Sequence, residues 1–317
     1  MSKTPMQQPL RLLLGIVGGA IKLKVMPGLE SILGKTQEQR WATEIPGFLR
    51  RPATMPMETE DHLVEGRGGN KIPVRVYKRP NTPEGAPGYF FIHGGGFIDG
   101  GVAHCDHVCR EIAARSGFVV VGISYRLAPE HVFPAGIEDV QDVFTWMAKE
   151  RPGGLDPERL AVAGESAGGN FTTALALWAR DANGPRIAHH APIYPLTDFT
   201  LSKIDWAEGN KGNPGVTPEI AALVREKYLP NKDFDNPGAS VLFADHKDLP
   251  PALVITCEYD ILRNEGVALA ESYTAAGVDT THVHMDDQPH GYLLMTKTSK
   301  QADKTLDLLV SEALKHL

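Results

Sequence analysis

Apolar and polar positions alternate through "KIPVRVYK" (71–78), the pattern of a strand with one face in solvent. The apolar runs that follow do not alternate. "GYFFI" (88–92), "FVVVGIS" (118–124), "LAVA" (160–163) and "ALVIT" (252–256) are continuous, as expected of parallel strands covered on both faces. Between them lie segments of helical length and spacing: "HVCREIAARSG" (107–117), "GIEDVQDVFTWMAKE" (136–150) and "NFTTALALWARDA" (170–182). Strands alternating with helices predict an α/β chain built on an open, mainly parallel central sheet flanked by helices.

The alternation fails in two places. Residues 1–55 read as helices outside the sheet, and 198–250 is a polar stretch with Pro and Asn that carries one clear helix, "TPEIAALVREKY" (217–228). The expected organisation is therefore N-terminal cap helices at 1–55, a first part of the core at 56–197, a cap insertion at 198–250 and a second part of the core at 251–317.

At 317 residues and 42% hydrophobic content the chain can bury a large core. Its 39 acidic and 32 basic residues give a net charge of −7, and no basic run tracks phosphates, so nucleic acid is not an expected partner. Three cysteines, Cys105, Cys109 and Cys257, are an odd count that argues against a disulfide framework and for a reducing, cytoplasmic compartment. "LLLGIVGGAI" (12–21) has the look of a secretion-signal core, which leaves a secreted form open. The weak cleavage site and the following Lys22 and Lys24 favour an amphipathic helix, and the run is too short for stable membrane insertion.

"LAVA" passes directly into "GESAGG" and then into an apolar helix, so Gly164-Glu165-Ser166-Ala167-Gly168 matches G-x-S-x-G in the setting of strand, sharp turn and helix. Small residues on either side let strand and helix approach while the serine takes a strained backbone and holds its hydroxyl out at the sheet edge. A serine hydroxyl is a poor nucleophile until a base removes its proton, so a histidine backed by an acid is required.

A second glycine cluster, "FFIHGGGFIDGG" (90–101), follows another buried strand. It fails the dinucleotide pattern because Asp99 stands where the last glycine of G-x-G-x-x-G belongs. The other use of such a turn is to aim backbone amides at a developing oxyanion; Gly95 and Gly96, with Ala167, are the expected donors. His93, just before the glycines, suits a loop-bracing hydrogen bond better than a base. The base is expected after the last strand, where "THVHMDDQPHGY" (281–292) places His290 in a turn between Pro289 and Gly291. The acid is expected in "ALVITCEYDILRNEG" (252–266): Asp260 is preferred, with Glu258 and Glu265 as runners-up and Glu265 better explained as first-turn charge on the next helix. "HCDHVC" (104–109) is not expected to bind metal, since helical spacing puts His104 and His107 on a different face from Cys105 and Cys109.

Over roughly 60–317 the chain resembles the bacterial hormone-sensitive-lipase-like esterases (family IV) of the α/β-hydrolase superfamily, through "HGGGF" (93–97), "YRLAPEHVFPA" (125–135), "GESAGGN" (164–170), "YDILRNEG" (259–266) and "HGY" (290–292). The resemblance implies an α/β-hydrolase fold with a helical cap. It also implies a triad of Ser166, Asp260 and His290, an oxyanion hole from Gly95, Gly96 and Ala167, no cofactor, and hydrolysis of short to medium acyl esters, a small-molecule substrate. A homodimer through the last strand is implied as well. Glu165 departs from the family pattern, which has Asp or Thr there; Val132, Ile261 and Asn264 depart at positions that carry no reacting group. Arg126 and Glu130 are expected to brace the nucleophile loop. Phe97, Tyr194, Trp206 and Tyr292 are candidate pocket residues. A specialised lactone, amide or natural-product hydrolase is the alternative within the same machinery. A small-molecule receptor, as in the similar gibberellin receptors that lack the histidine, is disfavoured by His290.

Overall fold

The computed structural model describes residues 4–6, 11, 12, 29–52, 55–204 and 216–317. Eight strands form one sheet: β1 (Glu58–Glu65), β2 (Lys71–Lys78), β3 (Ala86–Ile92), β4 (Val119–Ile123), β5 (Leu155–Glu165), β6 (His189–Ile193), β7 (Ala252–Tyr259) and β8 (Thr280–Pro289). Their spatial order is β1-β2-β4-β3-β5-β6-β7-β8. β1 and β2 form an antiparallel pair, and β2 meets β4 antiparallel, whereas every later pairing from β4 to β8 is parallel. β8 lies at the open edge where the resemblance puts a dimer contact.

The described helices are α1 (Leu29–Leu33), α2 (Gln37–Trp41), α3 (Val102–Ser116), α4 (Ala135–Glu150), α5 (Ala167–Asp181), α6 (Pro218–Tyr228), α7 (Arg263–Ala275) and α8 (Lys300–Leu314). The continuous apolar runs are explained by burial on both faces. Along β3, Phe90 and Ile92 pack with Val143 and Phe144 of α4, Phe171 and Leu175 of α5 and Leu269 of α7. Tyr89 and Phe91 point the other way, toward Cys105, Cys109 and Ile112 of α3 and Leu306 and Leu309 of α8. Successive residues of a strand face opposite sides, so one short run supplies both layers of the core.

Several elements differ from the sequence pattern. β6, "HHAPI", is entirely buried at the centre of the sheet despite two histidines and a proline. The His190 ring is satisfied by distant segments, with Nδ1 3.2 Å from the Pro251 carbonyl and Nε2 3.1 Å from the Tyr273 hydroxyl, while the His189 ring stacks on His316 at 5.4 Å. α8 and β1 likewise had no counterpart in the pattern. The described parts of 198–250 make two kinds of contact. α6 lies over the end of the sheet, while 239–250 packs along the core, with His246 contacting Ser272 Oγ on α7 at 2.8 Å. The segment expected as a helix at 12–24 lies mostly outside the described residues. Among the described residues no helix is long and apolar enough to cross a membrane.

Candidate active site

Because β3, β5, β7 and β8 run parallel, the loops that follow them open at one edge of the sheet, where open α/β sheets place their ligand sites. Those loops carry the glycine cluster, Ser166, Asp260 and His290.

Ser166 ends β5 and caps α5, with φ 57° and ψ −116°. A non-glycine residue held there costs about 1–3 kcal/mol and persists only where its surroundings enforce it. They do so through both backbone groups: the Ser166 amide donates to Ile193 O at 2.9 Å, and its carbonyl accepts from Asn170 at 3.1 Å. Gly168 makes the turn sterically feasible, since a Cβ there would stand 2.1 Å from Ile92 O. The Ser166 side chain makes no capping bond to its helix, so the hydroxyl is available to a partner across the cleft.

That partner is His290, whose Nε2 lies 2.8 Å from Ser166 Oγ. On the other side of the ring Nδ1 lies 2.7 Å from Asp260 Oδ2. A carboxylate accepts, so the Nδ1–H donates to Asp260 and leaves Nε2 to accept from the serine hydroxyl. Asp260 is itself oriented by the Leu262 amide, which donates to Oδ1 at 2.9 Å. Burial disfavours the charged imidazole, but the charge and hydrogen bond of Asp260, followed by the charge of Glu165, outweigh it and raise His290 above its ordinary 6.5. The acidic limb of the rate profile is therefore expected to have its midpoint above pH 6.5, with the rate rising as His290 deprotonates. Initial rates across buffered pH check this, and a rate flat from pH 5 to about 8 would exclude His290 as base.

Of the runners-up for the acid, Glu258 pairs with Arg263 at 2.9 Å and with His284 Nε2 at 3.2 Å. Glu265 lies in the first turn of α7, as expected, but it faces inward. It is wholly buried beneath the Asp260 loop, accepts the Thr197 amide at 2.5 Å, and is pushed well above the ordinary carboxyl range by burial.

The glycine loop turns sharply, with φ 101° at Gly95 and 62° at Gly96, and a Cβ on Gly95 would meet Asp99 O at 2.0 Å. Among the described residues the Gly95 and Gly96 amides have no backbone acceptor, and the Ala167 amide is an orphan donor of the first turn of α5. His93 sits beneath the loop, its Nδ1 2.6 Å from Gly94 O and its ring stacked on Tyr125 at 4.1 Å. Burial lowers His93 to about 3, so the ring is neutral and Nδ1 carries the proton donated to that carbonyl. The Tyr125 hydroxyl donates to the same turn, at 3.0 Å to His93 O and 3.2 Å to Gly94 O.

Arg40 of α2 was not legible in the sequence. It is fully buried and donates to Ile98 O at 2.7 Å and Ala128 O at 2.6 Å, and it also pairs with Glu130. Trp41 Nε1 donates to Tyr125 O at 2.8 Å, and Thr43 Oγ1 to Asp99 at 2.9 Å, so α2 and its exit clamp the far end of the glycine loop. Arg40→Ala is expected to cost about 3 kcal/mol of stability, read from denaturant midpoints, and to lower turnover in the variant that remains folded.

This placement corrects the bracing role expected for Arg126 and Glu130. Glu130 anchors α2 through Arg40. Arg126 joins Asp139 of α4 at 2.8 Å rather than the nucleophile turn. The candidate pocket aromatics are also corrected, because a pocket wall needs open ring surface. Phe97 is 1% exposed and stacks on Tyr228 of α6 at 4.1 Å; Tyr292 is 0% exposed with its hydroxyl 2.6 Å from Thr305 of α8. Tyr194 is buried behind His290, with ring centroids 4.7 Å apart. Trp206 lies outside the described residues. In "HCDHVC", Cys105 and Cys109 turn into the core with sulfurs 3.8 Å apart, His107 Nε2 meets Leu294 O at 3.1 Å, and His104 points toward Glu165.

Residues 89–294 match the family described as having the alpha/beta hydrolase fold. Carboxylesterase NlhH from Mycobacterium tuberculosis is 36% identical over 253 residues, covering 76% of this chain and 78% of that protein. An arylesterase from Saccharolobus solfataricus is 32% identical over 256 residues, covering 77% of this chain and 80% of its own. Among solved structures, the hyperthermophilic esterase from the archaeon Pyrobaculum calidifontis superposes with a TM-score of 0.84 at 32% identity over 98% of each chain.

Proposed function

The chain belongs to the hormone-sensitive-lipase-like esterases of the α/β-hydrolase superfamily and is a carboxylic ester hydrolase, and from that premise we propose that it cleaves short to medium acyl esters through an acyl-enzyme on Ser166. The observation that carries the proposal is the unbroken line from Ser166 Oγ through His290, 2.8 Å away, to Asp260, 2.7 Å beyond.

Ser166 Oγ attacks the ester carbonyl as its proton passes to His290 Nε2. Asp260 keeps the Nδ1–H pointed at itself and stabilises the imidazolium. The carbonyl oxygen becomes an oxyanion received by the amides of Gly95, Gly96 and Ala167, at the positive end of α5. His290 returns the proton to the departing alkoxide, leaving Ser166 acylated. Water then attacks the acyl-enzyme, giving its proton to His290, and as the bond to Ser166 Oγ breaks His290 returns that proton to the serine oxygen and the carboxylic acid leaves. His93 braces the oxyanion turn. The helices at 29–41 and α6 act as a cap over this edge. The preference for shorter acyl groups is supported by the crowding there: Val224 of α6 would stand 3.0 Å from a Cβ on Gly96, and the stacked Phe97 and Tyr228 fill the space beside it.

Treatment with a p-nitrophenyl phosphonate, followed by mass spectrometry of digested peptides, tests the nucleophile. One phosphonyl group on the peptide containing Ser166, with stoichiometric loss of turnover, is the expected result. Inactivation with the label elsewhere would overturn the assignment.

A further inference from the structure

The carboxylate of Glu165, next to the nucleophile, is buried and makes its closest contact outside its own loop. It accepts the Gly94 amide through Oε1 at 2.6 Å. Gly94 opens the oxyanion turn and has no left-handed backbone requirement of its own, yet a Cβ there would lie 2.2 Å from Glu165 Oε1. The carboxylate, and not the dihedral angles, is what excludes a side chain at 94. One acidic group thus joins the strand that carries the nucleophile to the loop that carries the amides.

The groups facing this carboxylate divide sharply by charge. His104 of α3 has Nε2 3.8 Å from Oε1, and burial lowers it to about 4; His93, one residue before Gly94, is lowered to about 3, by burial and then by His104. Tyr125 and Tyr194 are both pushed well above the ordinary phenol range by burial first and by Glu165 next. All four are neutral near pH 7. Burial raises the Glu165 carboxyl above its ordinary 4.5, against the opposing pull of the His290 charge and then of the Gly94 amide, and Glu165 in turn favours the charged form of His290.

We propose that Glu165 is a positioning residue for ester hydrolysis: its bond to Gly94 sets the direction of the Gly95 and Gly96 amides, and its charge stabilises the imidazolium formed at His290. The proposal rests on the reading of Ser166 and His290 given above. The two roles separate by substitution. A glutamine side chain keeps an oxygen to accept the Gly94 amide but carries no charge, whereas alanine removes both.

Wild type, Glu165→Gln, Glu165→Ala and Ser166→Ala are compared on p-nitrophenyl acetate for kcat, KM and pH profile, with folding followed by thermal unfolding. Glu165→Ala is expected to lose about tenfold or more in kcat with KM within about threefold, because the oxyanion exists only beyond the ground state. Glu165→Gln is expected to recover most of that loss at alkaline pH. In both variants the acidic limb moves to lower pH, by about half a unit or more, because the imidazolium loses a favourable charge. Wild-type kcat in Glu165→Ala, or an unmoved limb in Glu165→Gln, overturns the proposal. Should the alanine variant fail to fold, the limb of the glutamine variant decides alone. Full activity in Ser166→Ala would instead sink the underlying assignment, so the two failures are distinct.

Discussion

Ser166→Ala is expected to lower kcat on aryl esters by about 10⁶-fold, leaving only the residual rate that binding and amide donors provide without a nucleophile. The size of the effect follows from the geometry. Ser166 Oγ, the proposed nucleophile, lies 2.8 Å from His290 Nε2, and the strained turn, held by Ile193 and Asn170, offers no neighbouring hydroxyl to replace it. Removing Oγ leaves the backbone fold of the turn intact, because the side chain makes no helix cap. Thermal unfolding close to wild type together with lost turnover on p-nitrophenyl esters is the expected pair of results. Turnover retained at more than about a hundredth of wild type would remove Ser166 from the mechanism.

Asp260→Asn is expected to lower kcat by about 10⁴-fold while substrate still binds. Asparagine can present its amide N–H to Nδ1, which favours the imidazole with the proton on Nε2, and that nitrogen can then no longer accept from Ser166. The expected profile also differs in pH. The acidic limb moves down, because the charge and hydrogen bond that raise His290 against burial are both lost. Glu265 is the control. It lies buried under the same loop with Oε1 committed to the Thr197 amide, so it cannot swing up to replace Asp260. Glu265→Gln is expected to change stability more than chemistry. Equal losses of kcat in both variants, in protein shown to be folded, would mean that the acid had been misassigned.

The division between Asp260 and Glu265 shows where sequence reasoning reached its limit. Both are acids within six residues, and position after a strand favours the first, but nothing local says that Glu265 faces inward. Its burial comes from α7 packing against the loop that contains Thr197, two segments far apart in the chain. β6 is a similar case. Two histidines and Pro192 speak against a central strand by local preference, and the strand forms because β5 and β7 flank it and because Pro251 and Tyr273 satisfy His190. Arg40 is likewise an ordinary helix residue until Ile98 and Ala128 bring carbonyls to it.

What the sequence determined by itself are the features whose physics is local. Continuous apolar runs between helical periods require a sheet covered on both faces. A serine among glycines between strand and helix requires a tight elbow, and the triple-glycine turn requires freely aimed amides. The ordered positions of Ser166, Asp260 and His290, each directly after a strand, follow from the same pattern. Only the tertiary structure decided which buried groups face one another. Parallel strands bring four loops to one edge, α2 locks the glycine loop from a distance in sequence, and Glu165 meets Gly94 across the elbow, 71 residues away along the chain. Such contacts depend on burial and on partners contributed by other segments, and a charge acquires its meaning inside a protein only once those partners are in place.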